Sequence, residues 1–189
     1  VQNCSFLELG TNALQTYGSV MGIDIKDNVF NDISMSAISI GYHTTAWDTD
    51  NMNYNVHIEN NVIHDIGMEC PTATAIYISR ADNLKILHNT ISSTSYTAIS
   101  VGWGWVAVST EFDQYINIRN ADIAFNRILD FMQVLDDGGA IYVAGNNALI
   151  SADIKDTHAL GLNAGNGSGG AIYVGGDFSN ITSSTFENC

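Results

Sequence analysis

One four-residue phrase keeps returning along this chain. It consists of a small residue, an isoleucine, a polar or aromatic residue and a second branched aliphatic. The copies are Ala37-Ile38-Ser39-Ile40, Ala75-Ile76-Tyr77-Ile78, Ala98-Ile99-Ser100-Val101, Ala140-Ile141-Tyr142-Val143 and Ala171-Ile172-Tyr173-Val174, and Ala13-Leu14 is a weaker sixth. Their starts are 24, 38, 23, 42 and 31 residues apart. A chain that repeats one apolar pattern at intervals like these buries it by stacking each repeat on the next.

Two further phrases accompany the tetrad. Upstream of each lies an Asn followed by an apolar pair: Asn28-Val29-Phe30, Asn61-Val62-Ile63, Asn89-Thr90-Ile91 and Asn126-Arg127-Ile128. Cys4-Ser5-Phe6 and Ser184-Thr185-Phe186 hold the same place near the two ends. A third apolar stretch closes each unit, read as Ile23-Asp24-Ile25, Val56-His57-Ile58, Leu84-Lys85-Ile86 and Ile116-Asn117-Ile118. Each unit thus has three short stretches of period-two alternation, parted by turns rich in Asn, Asp, Gly and Ser. No amphipathic helix of useful length is visible.

Three brief strands per unit, stacked unit on unit, predict an all-β chain. The expected architecture is a parallel β-helix, a single-stranded solenoid of about six to seven coils over residues 1–189. With coils ~4.8 Å apart the rod is roughly 30 Å long. The recurring Asn is expected to form an internal ladder. A left-handed hexapeptide helix would need a strict six-residue period, which is absent. The matching ends read as a slice through a repeating body, so a segment of a longer β-helix is expected, or a body that associates end to end through its open coils.

Charge and composition narrow the function. Six Lys and Arg against 20 Asp and Glu leave a net charge of −14, which repels phosphate backbones and anionic membrane surfaces. Hydrophobic residues are 46% and charged ones 14%, so the chain is not intrinsically disordered. No apolar run approaches the ~18 residues of a membrane-spanning helix. Cys4, Cys70 and Cys189 form neither a disulfide framework nor a CxxC pair. Cys4 is expected to be a buried thiol at the ladder position.

One face of the rod attracts attention. The second and fourth tetrad residues are large and apolar and are expected to point inward, leaving the first and third outside. The outer alanines would then form a shallow floor, and Ser39, Tyr77, Ser100, Tyr142 and Tyr173 an exposed, tyrosine-lined strip. Tyr42, His43, Arg80, Trp103 and Trp105 would wall it on one side, and Asp137 with Asp136 on the other. Aromatic faces beside carboxylates suit a polyhydroxylated ligand, and paired carboxylates also cleave glycosidic bonds.

The stretches Thr97-Ala98-Ile99-Ser100-Val101-Gly102-Trp103-Gly104-Trp105 and Asp136-Asp137-Gly138-Gly139-Ala140-Ile141-Tyr142 resemble the right-handed parallel β-helix proteins of carbohydrate metabolism. The likeness is to β-helix glycoside hydrolases, of α-L-fucosidase/xylanase type or α-1,3-galactosidase type. It is best over residues 86–145, which include the linking stretch Asn126 to Leu135. The resemblance implies a right-handed coil and an extracellular, secreted or periplasmic protein. It also implies that Asp137 is the catalytic carboxylate, Asp136 its helper, and Trp103 and Trp105 the wall of the sugar subsite. For a second acid, Glu69, Asp48, Asp50 and Asp177 remain candidates. The Asn-Thr-Asp, Gly-His-Gly and Arg-Ile-Lys pattern of pectin hydrolases is absent.

Other readings stay beside this one. A polysaccharide lyase would use Arg80 as its basic residue, with Ca²⁺ to neutralise a uronate. A non-catalytic binding module, adhesin or filament subunit fits the short coil count. Asp48-Thr49-Asp50-Asn51-Met52-Asn53 offers alternate oxygen ligands for Ca²⁺ but is expected to be a solvated loop, so no cofactor is expected. The five His show no zinc-binding spacing. The expected partner is a carbohydrate.

Overall fold

A computed structural model describes residues 1–41, 52–102 and 118–143, and beyond them the strand backbone at 152–155, 158–160, 170–174, 180–182 and 184–187. Among the described residues all regular structure is β-strand, arranged in three parallel sheets. The first sheet stacks β1 (Ser5–Leu9), β4 (Val29–Ile33), β7 (Val62–Ile66), β10 (Thr90–Thr94), β13 (Arg127–Leu129), β16 (His158–Leu160) and β19 (Thr185–Glu187). The second stacks β2 (Leu14–Gln15), β5 (Ile38–Ile40), β8 (Ile76–Ile78), β11 (Ile99–Val101), β14 (Gly139–Val143) and β17 (Gly170–Val174). The third stacks β3 (Met21–Lys26), β6 (Asn53–Glu59), β9 (Ala81–Leu87), β12 (Ile118–Ala124), β15 (Ala152–Lys155) and β18 (Asn180–Thr182).

Each strand therefore pairs with the strands three before and three after it, an order compatible with a three-strand parallel β-helix. The register aligns like residues into columns. Ile25, Ile58, Ile86, Ile123, Ile154 and Ile181 form an unbroken isoleucine column in the third sheet. In the second, Leu14 heads a column continued by Ile38, Ile76, Ile99, Ile141 and Ile172. Phe6 and Phe30 begin a column in the first, their rings stacked at 4.9 Å and 6°. The described isoleucines from the second repeat to Ile141 are fully buried and belong to one core cluster. Identical side chains in register pack without voids, and a sheet covered on its inner face keeps its register.

The expected asparagine ladder is present. Asn28, Asn61, Asn89 and Asn126 are each about 1% exposed. The side-chain carbonyl of Asn61 accepts from the backbone N–H and the side-chain amide of Asn28, at 3.0 and 2.9 Å. Asn89 does this for Asn61, and Asn126 for Asn89. Each amide also donates to a backbone carbonyl, for example Asn126 to Ile86 at 2.8 Å. The ladder thus satisfies the buried corner where the chain passes from the third sheet to the first.

Cys4 takes the ladder's first place and donates its N–H to the Asn28 side chain at 3.0 Å. It is exposed, however, and not buried as expected. Among the described residues no strand stacks beyond β1.

The residue before each ladder position has a positive φ: Asn3, Asp27, Asn60, His88 and Phe125, all between 55° and 58°. Asn and Asp tolerate this left-handed conformation best. The same corner carries outer contacts between repeats, Asn60 donating to Asp27 at 2.6 Å and the His88 ring stacking on Phe125 at 4.8 Å. Two other columns bend alike: Glu8, Asp32, Asp65, Ser93 and Asp130 in the first sheet, and Asn55, Asn83 and Asn120 in the third.

Two expectations are corrected. The third-strand phrase of the fourth repeat is Ala121-Asp122-Ile123, not Ile116-Asn117-Ile118, because Leu84, Lys85 and Ile86 pair with Ala121, Asp122 and Ile123. The ladder decides the phase: an isoleucine stands three residues before the Asn in every repeat, and in the fourth it is Ile123. The tetrad alanines also differ from expectation. Ala37, Ala75, Ala98 and Ala140 are fully buried within the core cluster and form no open floor. Ala37, Ala75 and Ala98 stand at the bend leading into the strand, where inside–outside alternation has not yet begun.

Candidate functional site

The outer face of the second sheet carries a groove of about 400 Å³. Its base is the third tetrad residue, since Ser39, Tyr77, Ser100 and Tyr142 are adjacent in register and all line it. Its described wall comes from the turns that run into the sheet. Met35 and Ser36 precede β5, Cys70 to Thr74 precede β8, and Tyr96 and Thr97 precede β11. Nine of the fourteen described lining residues bear a hydroxyl and none of these fourteen bears a charge.

The strip is recessed rather than exposed. Tyr142 is only 4% exposed and Ser39 7%. The Tyr77 hydroxyl is buried and has no hydrogen-bond partner among the described residues. Burial pushes its pKa up to about 12, opposed weakly by the charge of Arg80. The phenol therefore stays neutral, a donor and acceptor on a side chain that lines the groove and without a partner among the described residues. A buried hydroxyl in that state carries a desolvation cost of ~1–3 kcal/mol, recoverable by a ligand that bonds to it.

Asp137 stands at the edge of this groove. Its carboxylate is exposed, and its backbone carbonyl accepts the hydroxyl of Tyr96. The Tyr96 phenol is shifted upward, by burial first and by the charge of Asp137 second, while a hydrogen bond with Thr97 acts the other way. Gly138 permits this arrangement. A Cβ there would come within 2.8 Å of Tyr96 Cε2 and 3.0 Å of Met132 Sδ, and would also strike Thr97 Oγ1. Thr97 Oγ1 in turn accepts the Gly139 N–H at 3.3 Å. The Asp-Asp-Gly-Gly segment is thus clamped by the turn of the preceding repeat.

The expected site residues fare unequally. Tyr77 and Tyr142 line the groove and Asp137 flanks it through Tyr96. Asp136 is exposed beside it and is not a lining residue. Arg80 is half-buried and outside the lining; its carbonyl accepts the Asn53 side-chain amide at 2.7 Å. Tyr173 belongs to β17, in register with Tyr142, but its side chain lies outside the described residues. Tyr42, His43, Trp103 and Trp105 lie outside them entirely.

Among the candidates for a second acid, Glu69 is exposed and adjoins the groove-lining Cys70, while Asp48, Asp50 and Asp177 lie outside the described residues. Of the segment Asp48 to Asn53, expected as a solvated loop, Met52 and Asn53 are described, and Asn53 is fully buried. Its side-chain carbonyl oxygen accepts the Val20 N–H at 3.2 Å, so it joins two repeats. Among the described residues no three His, Cys, Asp or Glu side chains are grouped to hold a metal ion.

Sequence reasoning missed Tyr96, Thr97, Cys70 and Asn12 as lining residues. On this side the expected wall was Asp137 with Asp136, neither of which is among the described lining residues. The wall stands mainly one and two residues before the tetrad alanine, at Met35-Ser36, Ala73-Thr74 and Tyr96-Thr97. Compared with known proteins, the chain matches no family model, no curated protein and no solved structure.

Proposed function

We propose that the chain is a right-handed parallel β-helix that binds carbohydrate along the outer face of its second sheet and hydrolyses a glycosidic bond with Asp137. The observation that carries the binding reading is the groove itself: tyrosines and small hydroxyl residues aligned in register on a rigid sheet, with a buried phenol that has no partner among the described residues. Sugars present C–H faces that pack on aromatic rings and hydroxyls that exchange hydrogen bonds with Ser, Thr and Tyr. For the chemistry, Asp137 is the carboxylate tied to the groove's edge, held by Tyr96 through its own backbone. Its role is acid or nucleophile, with Asp136 beside it as support. The protein acts outside the cell, where polysaccharides are met.

A second reading has its own support. No carboxylate stands among the described lining residues, and glycosidases use two flanking the bond. A groove without that pair is a recognition module. A lyase finds less support, because no basic side chain is among the described lining residues.

A glycan screen separates these readings, with binding and reducing-end release measured in parallel for wild type and Asp137→Asn. Release by wild type alone establishes hydrolysis through Asp137. Binding by both without release establishes recognition. Release by both proteins at equal rates removes Asp137 from the mechanism, and silence from both ends the carbohydrate reading.

A further inference from the structure

Over the four described lining residues Ser39, Tyr77, Ser100 and Tyr142, the base column of the groove alternates in size. In register it reads Gln15, Ser39, Tyr77, Ser100, Tyr142, Tyr173. Ser100 is the small residue between two tyrosines, and Tyr77, Ser100 and Tyr142 all line the same cavity. Neighbouring strands lie about 4.8 Å apart, so the strands bearing the two tyrosines are separated by roughly twice that distance. A ring seated over Ser100 would lie about one strand spacing from each tyrosine, within the ~4.5–7 Å between centroids at which rings pack.

We infer that Ser100 marks the seat of a single uncharged sugar ring, held between Tyr77 and Tyr142, with the Tyr77 hydroxyl bonding to it. The inference rests on the carbohydrate reading above and adds a subsite and a ligand class.

Three observations select an uncharged ring. The described lining contains no cation to pair with a uronate or a sulfated sugar. A charge brought into a partly buried site without a partner is strongly disfavoured. The net charge of −14 adds long-range repulsion of anionic glycans. Hydroxyls, by contrast, meet what the groove supplies. Tyr77 is neutral well above physiological pH and offers both a donor and acceptors. Thr97 Oγ1 is already engaged by Gly139 N–H, whereas the Tyr77 hydroxyl has no partner among the described residues.

Ser100 also sets the size of the seat. The register places Tyr142 beside Tyr173, so two tyrosines on adjacent strands already occur in this column. A tyrosine at position 100 would extend that pattern and fill the slot with a ring of the protein's own.

The test is isothermal titration of the full 189-residue chain with neutral oligosaccharides (xylo-, arabino- and galacto-series) and with oligogalacturonate. The variants are Ser100→Tyr, Ser100→Ala and Tyr77→Phe, with circular dichroism melts to verify folding. The expected result is binding of a neutral series, at least tenfold tighter than oligogalacturonate. Ser100→Ala should bind like wild type and Ser100→Tyr at least tenfold more weakly. Tyr77→Phe should lose about fivefold, the worth of one neutral hydrogen bond of ~1 kcal/mol.

Wild-type affinity in folded Ser100→Tyr would overturn the seat while leaving the carbohydrate reading intact. Equal affinity for oligogalacturonate would overturn the ligand class alone. If Ser100→Tyr does not fold, Tyr77→Phe decides: undiminished affinity overturns the inference. No binding by wild type to any of these probes overturns both the inference and the reading it rests on.

Discussion

The ring of Tyr96 lies against the backbone of Gly138 in the next repeat, so closely that a Cβ on Gly138 would come within 2.8 Å of its Cε2. From there the Tyr96 hydroxyl reaches the carbonyl of Asp137, 41 residues along the chain. The contact couples the groove wall to the carboxylate at its edge. Gly138→Ala should therefore destabilise the chain by ~1–3 kcal/mol, the usual range for overpacking. Urea unfolding measures it, and a wild-type midpoint would show that the clamp is not tight. Shortening the obstacle in Gly138→Ala/Thr97→Ser should recover little, because the methine carbon and the hydroxyl of residue 97 remain.

Asn61 sits at the centre of the ladder. Its side chain accepts from Asn28 N and Nδ2 and donates to Ile25 O and Asn89 Oδ1. Asn61→Ala leaves several buried groups without partners, each costing ~1–3 kcal/mol. These costs do not add fully, and a loss of about 3 kcal/mol or more is expected from equilibrium unfolding. The same change at exposed Asn60, whose described side-chain bond is to Asp27, should cost clearly less.

Tyr77→Phe is expected to do the opposite to stability. The hydroxyl it removes is buried without a partner among the described residues, so the unliganded variant should melt at or above the wild-type temperature. A clear fall in melting temperature would mean that the phenol has a structural partner. The wild-type phenol should also ionise late. With a folded pKa of about 12 against 10 unfolded, the folded state holds its proton over that interval. Stability from this group is present below pH 10 and declines as pH rises towards 12. Alkaline melts should fall more steeply for wild type than for Tyr77→Phe, and the tyrosinate absorbance should lose its last-titrating component in the variant.

At acid pH the first repeats respond. Asp27 is held below its usual range by hydrogen bonds from Asn60 at 2.6 Å and Gln2 at 2.9 Å. Asp24 is lowered chiefly by its bond with Lys26, at 3.0 Å. A carboxyl whose folded pKa is depressed stabilises above the unfolded value, and the contribution is lost as pH falls through the folded one. Melting temperature should therefore drop on acidification below the ordinary aspartate value of 3.8. Both groups lie at the surface, so the effect should be small and the Asp24 part should shrink in salt. Asp27→Asn should flatten the acid limb; an unchanged limb would show that the two hydrogen bonds hold no preference for the carboxylate.

Much of this architecture was legible in the linear chain because its rules are local. Alternation of period two identifies which residues of Ile76-Tyr77-Ile78 face the core. The recurring Asn, always three residues after an apolar column residue, marks the same corner in each repeat, and it predicted the ladder. The same spacing would have moved the fourth third-strand phrase from Ile116 to Ala121, had the ladder been used to set the phase. Local chemistry thus determined the three strand phrases, the ladder and the tyrosine column on the second sheet.

What the tertiary structure alone decided lies between repeats. Unequal loops separate them, so no fixed spacing links Tyr96 to Asp137 or Ser100 to its flanking tyrosines. Whether Ala98 faces solvent or core depends on where the chain bends, and stacking of the neighbouring repeats sets that bend. Whether Tyr142 is exposed depends on what packs over it, and its 4% exposure emerges only in three dimensions. Side-chain direction follows from the strand's own geometry, but depth follows from contacts among residues far apart in the chain.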